Sequence, residues 1–142
     1  MRAMEISRSG LDVEWRRLEV IADNLANAGT VKAADGSAYQ PRQLISGPKG
    51  SFSALLDKGG QPERLDGVEI YSIEPTGDAP RLVHEPANPQ ADAHGMVAYP
   101  GVDQATQMTL MVKTARAYQS NIVALSAARD MYSRAIELGG RT

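Results

Sequence analysis

The chain has 142 residues and 15.2 kDa, one domain's worth of polypeptide. Fifteen Lys and Arg against seventeen Asp and Glu give a net charge of −2, without the basic stripe that a nucleic-acid binder needs. No cysteine is present, which excludes disulfides, thiolate metal sites and cysteine nucleophiles. A single Phe and a single Trp leave a compact core hard to fill.

The first segment is free of helix breakers from Leu11 to Ala28. Met4, Arg8, Leu11, Trp15, Leu18, Ala22 and Leu25 follow alternating spacings of three and four, and all but Arg8 are apolar. That pattern predicts an amphipathic helix. Ser9 and Asp12 offer a capping box, with weaker helicity upstream through Ile6, and Gly29 suits the left-handed closing position. The opening Met-Arg-Ala-Met-Glu-Ile-Ser-Arg is broken by charge every few residues and does not read as a cleavable secretory signal. Asn24 and Asn27 stand in the last turns. They serve either as ordinary helix-end polar groups or as buried groups that fix register between neighbouring helices.

All eight prolines lie between Pro41 and Pro100, so the middle is irregular or β. Ala38–Ile45, Val68–Ile73 and Arg81–His84 read as short strands, with Met96–Tyr99 as a weaker fourth. Asp35-Gly36, Gly59-Gly60, Gly77-Asp78 and Pro86–Pro89 read as turns. The only two histidines, His84 and His94, fall in this turn-rich stretch. A hydrolase would join His94 to Asp92 and Glu85, or His84 to a serine, but neither a G-x-S-x-G elbow nor an H-E-x-x-H helix accompanies them. Asn88, Asp92 and His94 lack the calcium-loop spacing. Ser46–Ser51 lacks the P-loop spacing and reads as a loop. No catalytic, cofactor or metal site is expected.

From Val102 to Leu138 neither Gly nor Pro occurs, which predicts a helix roughly 50–55 Å long, longer than a globule of this size is wide. Asp103 is a natural N-cap and Gly139-Gly140 a natural stop. One stripe, running through Met108, Met111, Tyr118, Ile122, Leu125, Tyr132 and Ile136, is almost wholly apolar. A neighbouring stripe from Gln107 to Leu138 is apolar and mostly alanine, and the third is largely polar. Met108, Met111 and Met131 read as packing residues. Tyr118 and Tyr132 read as buried at a seam edge. No run approaches the roughly 20 apolar residues of a membrane span.

The expectation is an α+β chain. Residues 1–30 form an N-terminal helix, 31–102 a small β-rich insert and 103–142 a long C-terminal helix, the helices pairing as a coiled coil. The helix carrying Leu11, Leu18 and Leu25 is expected to pack on Tyr118, Ile122 and Leu125, leaving the alanine stripe for neighbouring subunits. A helical hairpin inside one globule remains the alternative.

Val20-Ile-Ala-Asp-Asn-Leu-Ala-Asn-Ala28, after Ser9-Gly10-Leu11, resembles the N-terminal signature of the flagellar basal-body rod and hook proteins. Ala115-Arg-Ala-Tyr-Gln-Ser-Asn-Ile-Val-Ala124, running on to Gly139, is similar to that family's closing helix. Thr30–Tyr39 and Leu82–Val97, followed by Tyr99-Pro-Gly-Val-Asp103, resemble its short proximal-rod branch. The sequence departs from that pattern at His84 and Met96, where an aromatic is common. The resemblance implies a non-enzymatic rod subunit in the periplasmic part of the basal body, exported without a cleaved signal peptide. It implies as partners other proximal and distal rod proteins, copies of itself, and the basal body's membrane ring and export apparatus, with no nucleic acid and no small-molecule substrate. Leu11, Trp15, Leu18, Asn24, Leu25, Asn27, Met111, Tyr118, Ile122, Leu125 and Tyr132 are the candidate assembly residues. A secreted or periplasmic binding module that dimerises through its helices is the competing expectation, with an apolar pocket within residues 68–99 as its mark.

Overall fold

The computed structural model describes residues 2–31, 39–50 and 67–140. The element order is α1 (Arg2–Ala26), β1 (Arg42–Pro48), β2 (Val68–Pro75), β3 (Arg81–His84), β4 (Met96–Tyr99) and α2 (Gln104–Gly139). This is the expected α+β arrangement of two terminal helices around a small β region.

Helix α1 starts at Arg2, upstream of the cap expected at Ser9 and of the weaker helicity expected through Ile6. The capping box is not formed, because Ser9 is already inside the helix. Its hydroxyl donates to the Ile6 carbonyl at 2.7 Å, the back-bond that lets serine sit in a helix interior. At the other end Gly29 does not take the left-handed conformation. The helix closes instead through short right-handed turns, with Ala28 N–H donating to Leu25 O at 3.3 Å and Thr30 N–H to Asn27 O at 3.0 Å.

Helix α2 behaves as expected at its start. Asp103 is extended at φ −81° and ψ 102°, accepts from Ala105 N–H at 3.1 Å, and accepts from the Thr106 hydroxyl at 2.6 Å. These bonds hold its carboxyl below the usual carboxylate range, the Thr106 hydroxyl being the largest cause. The helix runs 36 residues to Gly139, and Gly140 N–H caps it on the Ile136 carbonyl.

Two antiparallel hairpins make up the β region. Strands β3 and β4 pair over Arg81–His84 and Met96–Tyr99, as the sequence predicts. Strand β2 extends two residues past the expected Ile73. Strand β1 begins at Arg42, four residues after the expected Ala38, which itself lies outside the described residues. The reason is tertiary. Asn24 takes both backbone groups of Arg42, so pairing with β2 begins there. Of the expected turns, Gly77 adopts φ +74°, and Asn88 N–H closes on Glu85 O at 2.9 Å. The Asp35-Gly36 and Gly59-Gly60 turns lie outside the described residues.

Helix α1 packs against α2 on one side and against β1 and β2 on another. Its buried residues, Val13, Val20, Ile21 and Asn24, lie between those two contacts. Gly10 faces Asn121, where an added Cβ would stand 2.8 Å from the amide nitrogen. Asn24 reaches Gln107 across the same interface. The two helices therefore run antiparallel, in a register that brings Arg2 level with Arg129.

Candidate assembly surface

The line of α2 that faces α1 is Gln107, Met111, Thr114, Tyr118, Asn121, Leu125 and Ala128. It alternates spacings of four and three, and every member is buried or half-buried. This is the seam spacing of a coiled coil. It differs from the sequence expectation by a small rotation. The contact line takes Met111, Tyr118 and Leu125 from the larger apolar stripe and Gln107, Thr114, Asn121 and Ala128 from the small-residue stripe. Small side chains allow the close approach at Gly10, so Gln107, Thr114, Asn121 and Ala128 are covered inside the molecule, while Leu110, Ala124, Met131 and Leu138 of the same stripe stay exposed. Ile122, expected at the seam, is instead 43% exposed.

The α1 side of the seam is displaced in the same sense. Leu11, Leu18 and Leu25 are half-buried, forming one edge of the buried arc rather than its centre. Trp15 is 56% exposed, its ring centroid 6.2 Å from that of Tyr118 with the planes tilted by 49°. One flank of that pair is wet, where a fully packed pair would be enclosed.

Asn24 lies in the interior, between α1, the start of β1 and the start of α2. Only 1% exposed, it donates from Nδ2 to the Arg42 carbonyl at 2.8 Å and to Gln107 Oε1 at 3.3 Å. Its Oδ1 accepts from Arg42 N–H at 2.9 Å and from the Tyr39 hydroxyl at 2.8 Å. One amide thus ties α1 to the start of β1 and the start of α2. Asn27 has the plainer role of closing the helix end, donating to Asp23 O at 2.9 Å.

Two further anchors hold the first hairpin on α1, and the sequence reading missed both. Arg17 donates to Leu44 O at 3.2 Å and to Ser46 Oγ at 2.8 Å, while pairing with Glu14. Ser9 Oγ accepts from Val68 N–H at 3.0 Å, beside Gly67 at φ +104°. Ser9, Arg17 and Asn24 follow one another at steps of eight and seven, a single line along the helix. That periodicity was available in the sequence, but polar residues at heptad steps ordinarily mark a solvated face. Ser46, read as part of a loop, belongs to β1, while Ser51 lies outside the described residues.

The remaining apolar surface concentrates on α2. Met108, Val112, Val123, Met131, Tyr132, Ile136 and Leu138 are 61, 54, 69, 65, 41, 57 and 71% exposed. Met108 and Met131, expected to pack, are therefore outside the fold. From Arg129 to Gly140 every residue is exposed.

The β3–β4 hairpin offers no catalytic geometry among the described residues. His84 and His94 are exposed. Asp92 Oδ1 accepts from His94 N–H at 2.8 Å and Met96 N–H at 2.9 Å. Asn88 spends its Oδ1 on Gln90 N–H at 3.0 Å. These groups brace a turn, and no cluster of three acidic or histidine ligands occurs among the described residues. Glu85 accepts from the Tyr99 hydroxyl at 3.1 and 3.2 Å, and that bond raises the phenol's pKa. An open cavity of ≈ 520 Å³ lies at the junction of α1 and α2, lined by Ala28, Arg81 and Pro100–Gln104. Only Arg81 comes from residues 68–99, so this is not the apolar pocket a binding module would mark. No helix among the described residues is long and apolar enough to cross a membrane.

Two family models match the helical ends. One, described as "Flagella basal body rod protein", covers residues 4–33. The other, "Flagellar basal body rod FlgEFG protein C-terminal", covers residues 93–138. The flagellar basal-body rod protein FlgC of Salmonella typhimurium is 33% identical over 139 residues, covering 98% of this chain and 97% of that one. The FlgC proteins of Bacillus subtilis and Agrobacterium fabrum are 31% and 32% identical, covering 96% of this chain and 96% and 92% of theirs. With both helical signatures in place and similarity across nearly the full length, the chain belongs to the FlgC family of flagellar basal-body rod proteins.

Proposed function

We propose that this chain is a non-enzymatic structural subunit of the proximal rod of the bacterial flagellar basal body, built into the shaft by its two terminal helices. It joins other proximal and distal rod proteins and copies of itself, next to the basal body's membrane ring and export apparatus. It works in the periplasmic part of the structure, which it reaches through the basal body's export apparatus. The observation that carries this reading, beyond family membership, is the state of α2. Its inner line is committed to α1, while Met108, Ile122, Val123 and Ile136 are left in water. Exposed apolar surface on this scale marks an interface. Contacts that repeat head to tail without closing build a helical shaft.

The test separates folding from assembly. Leu18 is half-buried in the intramolecular seam, so Leu18→Asp lowers the stability of the isolated chain. Ile122 is 43% exposed, so Ile122→Asp leaves the isolated fold and its thermal midpoint unchanged while abolishing swimming in a strain that depends on this chain. Full motility with Ile122→Asp would overturn the assignment of that face.

A further inference from the structure

The loop end of the β3–β4 hairpin gathers donor atoms that the assembly surfaces do not use. His84 and Met96 are cross-strand partners, so their side chains stand on one face of the hairpin. The following pair is hydrogen-bonded, Glu85 N–H donating to Gly95 O at 2.8 Å. His84 and Met96 therefore form the closely spaced, non-hydrogen-bonded kind of pair, in which facing side chains meet. Gly95, at φ +74°, has no side chain where a Cβ would stand 3.2 Å from His84 Cε1. The carbon between the two ring nitrogens of His84 thus lies against the backbone at Gly95. His94 immediately precedes that glycine, and its exposed imidazole is within reach of the same point.

Imidazole and carboxylate ligands alone do not make a metal site here; the Met96 thioether supplies the missing donor. The nearby carboxylates are engaged elsewhere. Asp92 Oδ1 accepts from the N–H groups of His94 and Met96, and Glu85 accepts from Tyr99 and Asn88. Glu85 is also one residue out of phase with His84, which puts it on the opposite face. Leu82 and Ala98, the pair two residues back along the strands, share the face of His84 and Met96 and give it an apolar flank. We infer that His84, Met96 and His94 bind one Cu(I) ion at the loop end of this hairpin. Imidazole nitrogen with thioether sulfur beside apolar surface is the donor set that suits this soft cation. Zn(II) would need a thiolate, a carboxylate or further imidazoles to fill its four positions, and Mg(II) and Ca(II) would need oxygen ligands. A bound ion ties the end of β3 to the start of β4.

The absence of cysteine makes the test direct, since no thiolate competes for a soft metal. The full-length chain is titrated with Cu(I) in oxygen-free, reducing buffer against a colorimetric Cu(I) chelator. In parallel it is titrated with Ag(I), a redox-inert analogue, and followed by NMR. The expected result is one ion per chain, with the imidazole protons of His84 and His94 and the Met96 methyl group shifting together. His84→Gln, Met96→Leu and His94→Gln should each weaken Cu(I) binding by about tenfold or more. Met108→Leu, at an exposed methionine on α2, should leave it unchanged, and Zn(II) should not move the three signals. Shifts confined to other residues, unchanged affinity in any of the three ligand variants, or the same shifts with Zn(II) would overturn the site. The NMR titration needs no variant, so it decides the site even where a substitution unfolds the hairpin.

Discussion

Replacing Asn24 by alanine removes four hydrogen bonds from one buried amide: two to the backbone of Arg42, one to Gln107 and one from Tyr39. A net value of about 1 kcal/mol per neutral hydrogen bond sets an upper figure of about 4 kcal/mol. Arg42 and Gln107 are not themselves fully buried, so water recovers part of the loss, and about 2–3 kcal/mol is expected. For a chain of this size that lowers the thermal midpoint by roughly 6–10 °C. Asn24→Asp should cost at least as much, because a carboxylate at 1% exposure would face the Arg42 carbonyl and Gln107 Oε1 with no proton to give. Asn27→Ala serves as the internal comparison, since it removes only local helix-end bonds and should cost under about 1 kcal/mol. Urea unfolding followed by far-UV circular dichroism measures all three, and hydrogen exchange at Arg42 N–H reports the broken clamp directly. Equal losses for Asn24→Ala and Asn27→Ala, or unchanged exchange at Arg42, would refute the claim that Asn24 fixes the register.

Three other outcomes follow from the same geometry. Gly10→Leu places a branched side chain where even a Cβ stands 2.8 Å from Asn121, and should cost about 1–3 kcal/mol through overpacking; Asn121→Ala should restore part of that loss in a double-mutant cycle. Arg17→Met removes the donors to Leu44 O and Ser46 Oγ while keeping the apolar stem, and should loosen the β1–β2 hairpin by about 1–2 kcal/mol, seen as faster exchange at the β1 amides with α2 unaffected. Asp103 has a folded pKa held below its ordinary value, so its contribution is present above that value and is lost as pH falls through the lowered folded one. Exchange in the first turn of α2 should therefore rise in acid ahead of the rest of the helix, and Asp103→Asn should flatten that pH response.

Legibility in the sequence followed the strength of local signals. Strands β3 and β4 were readable to the residue, since each is a short β-prone run bounded by turn chemistry and paired with its nearest neighbour in sequence. The start and end of α2 were readable because Asp103 and the Gly139-Gly140 pair act through local hydrogen bonds. The beginning of β1 was not, because it is set by Asn24, 18 residues away. The face of α2 that packs inward was misjudged by a rotation, for a comparable reason. Apolar count favours the stripe of Met108 and Ile122, whereas the partner helix presents Gly10 and rewards close approach, which selects Thr114, Asn121 and Ala128. The anchors Ser9 and Arg17 left no hydrophobic trace at all. Their roles exist only once the β1–β2 hairpin lies against α1.

The molecule divides its polar and apolar residues in a way that suits a building block. The joints within the chain are fixed by polar groups at spaced points, Ser9, Arg17 and Asn24 on α1, each satisfied by backbone atoms whose positions allow one register. Hydrogen bonds lose most of their worth when misaligned, so these joints resist sliding. Large apolar side chains of α2 off the α1 seam, Met108, Val112, Val123 and Ile136 among them, are kept for the outside instead. Apolar contact is proportional to area and tolerant of angle, which suits surfaces that must meet neighbours of differing shape along a shaft. Internal rigidity through directional bonds and external attachment through broad apolar faces are the two properties that carrying torque between repeated subunits requires.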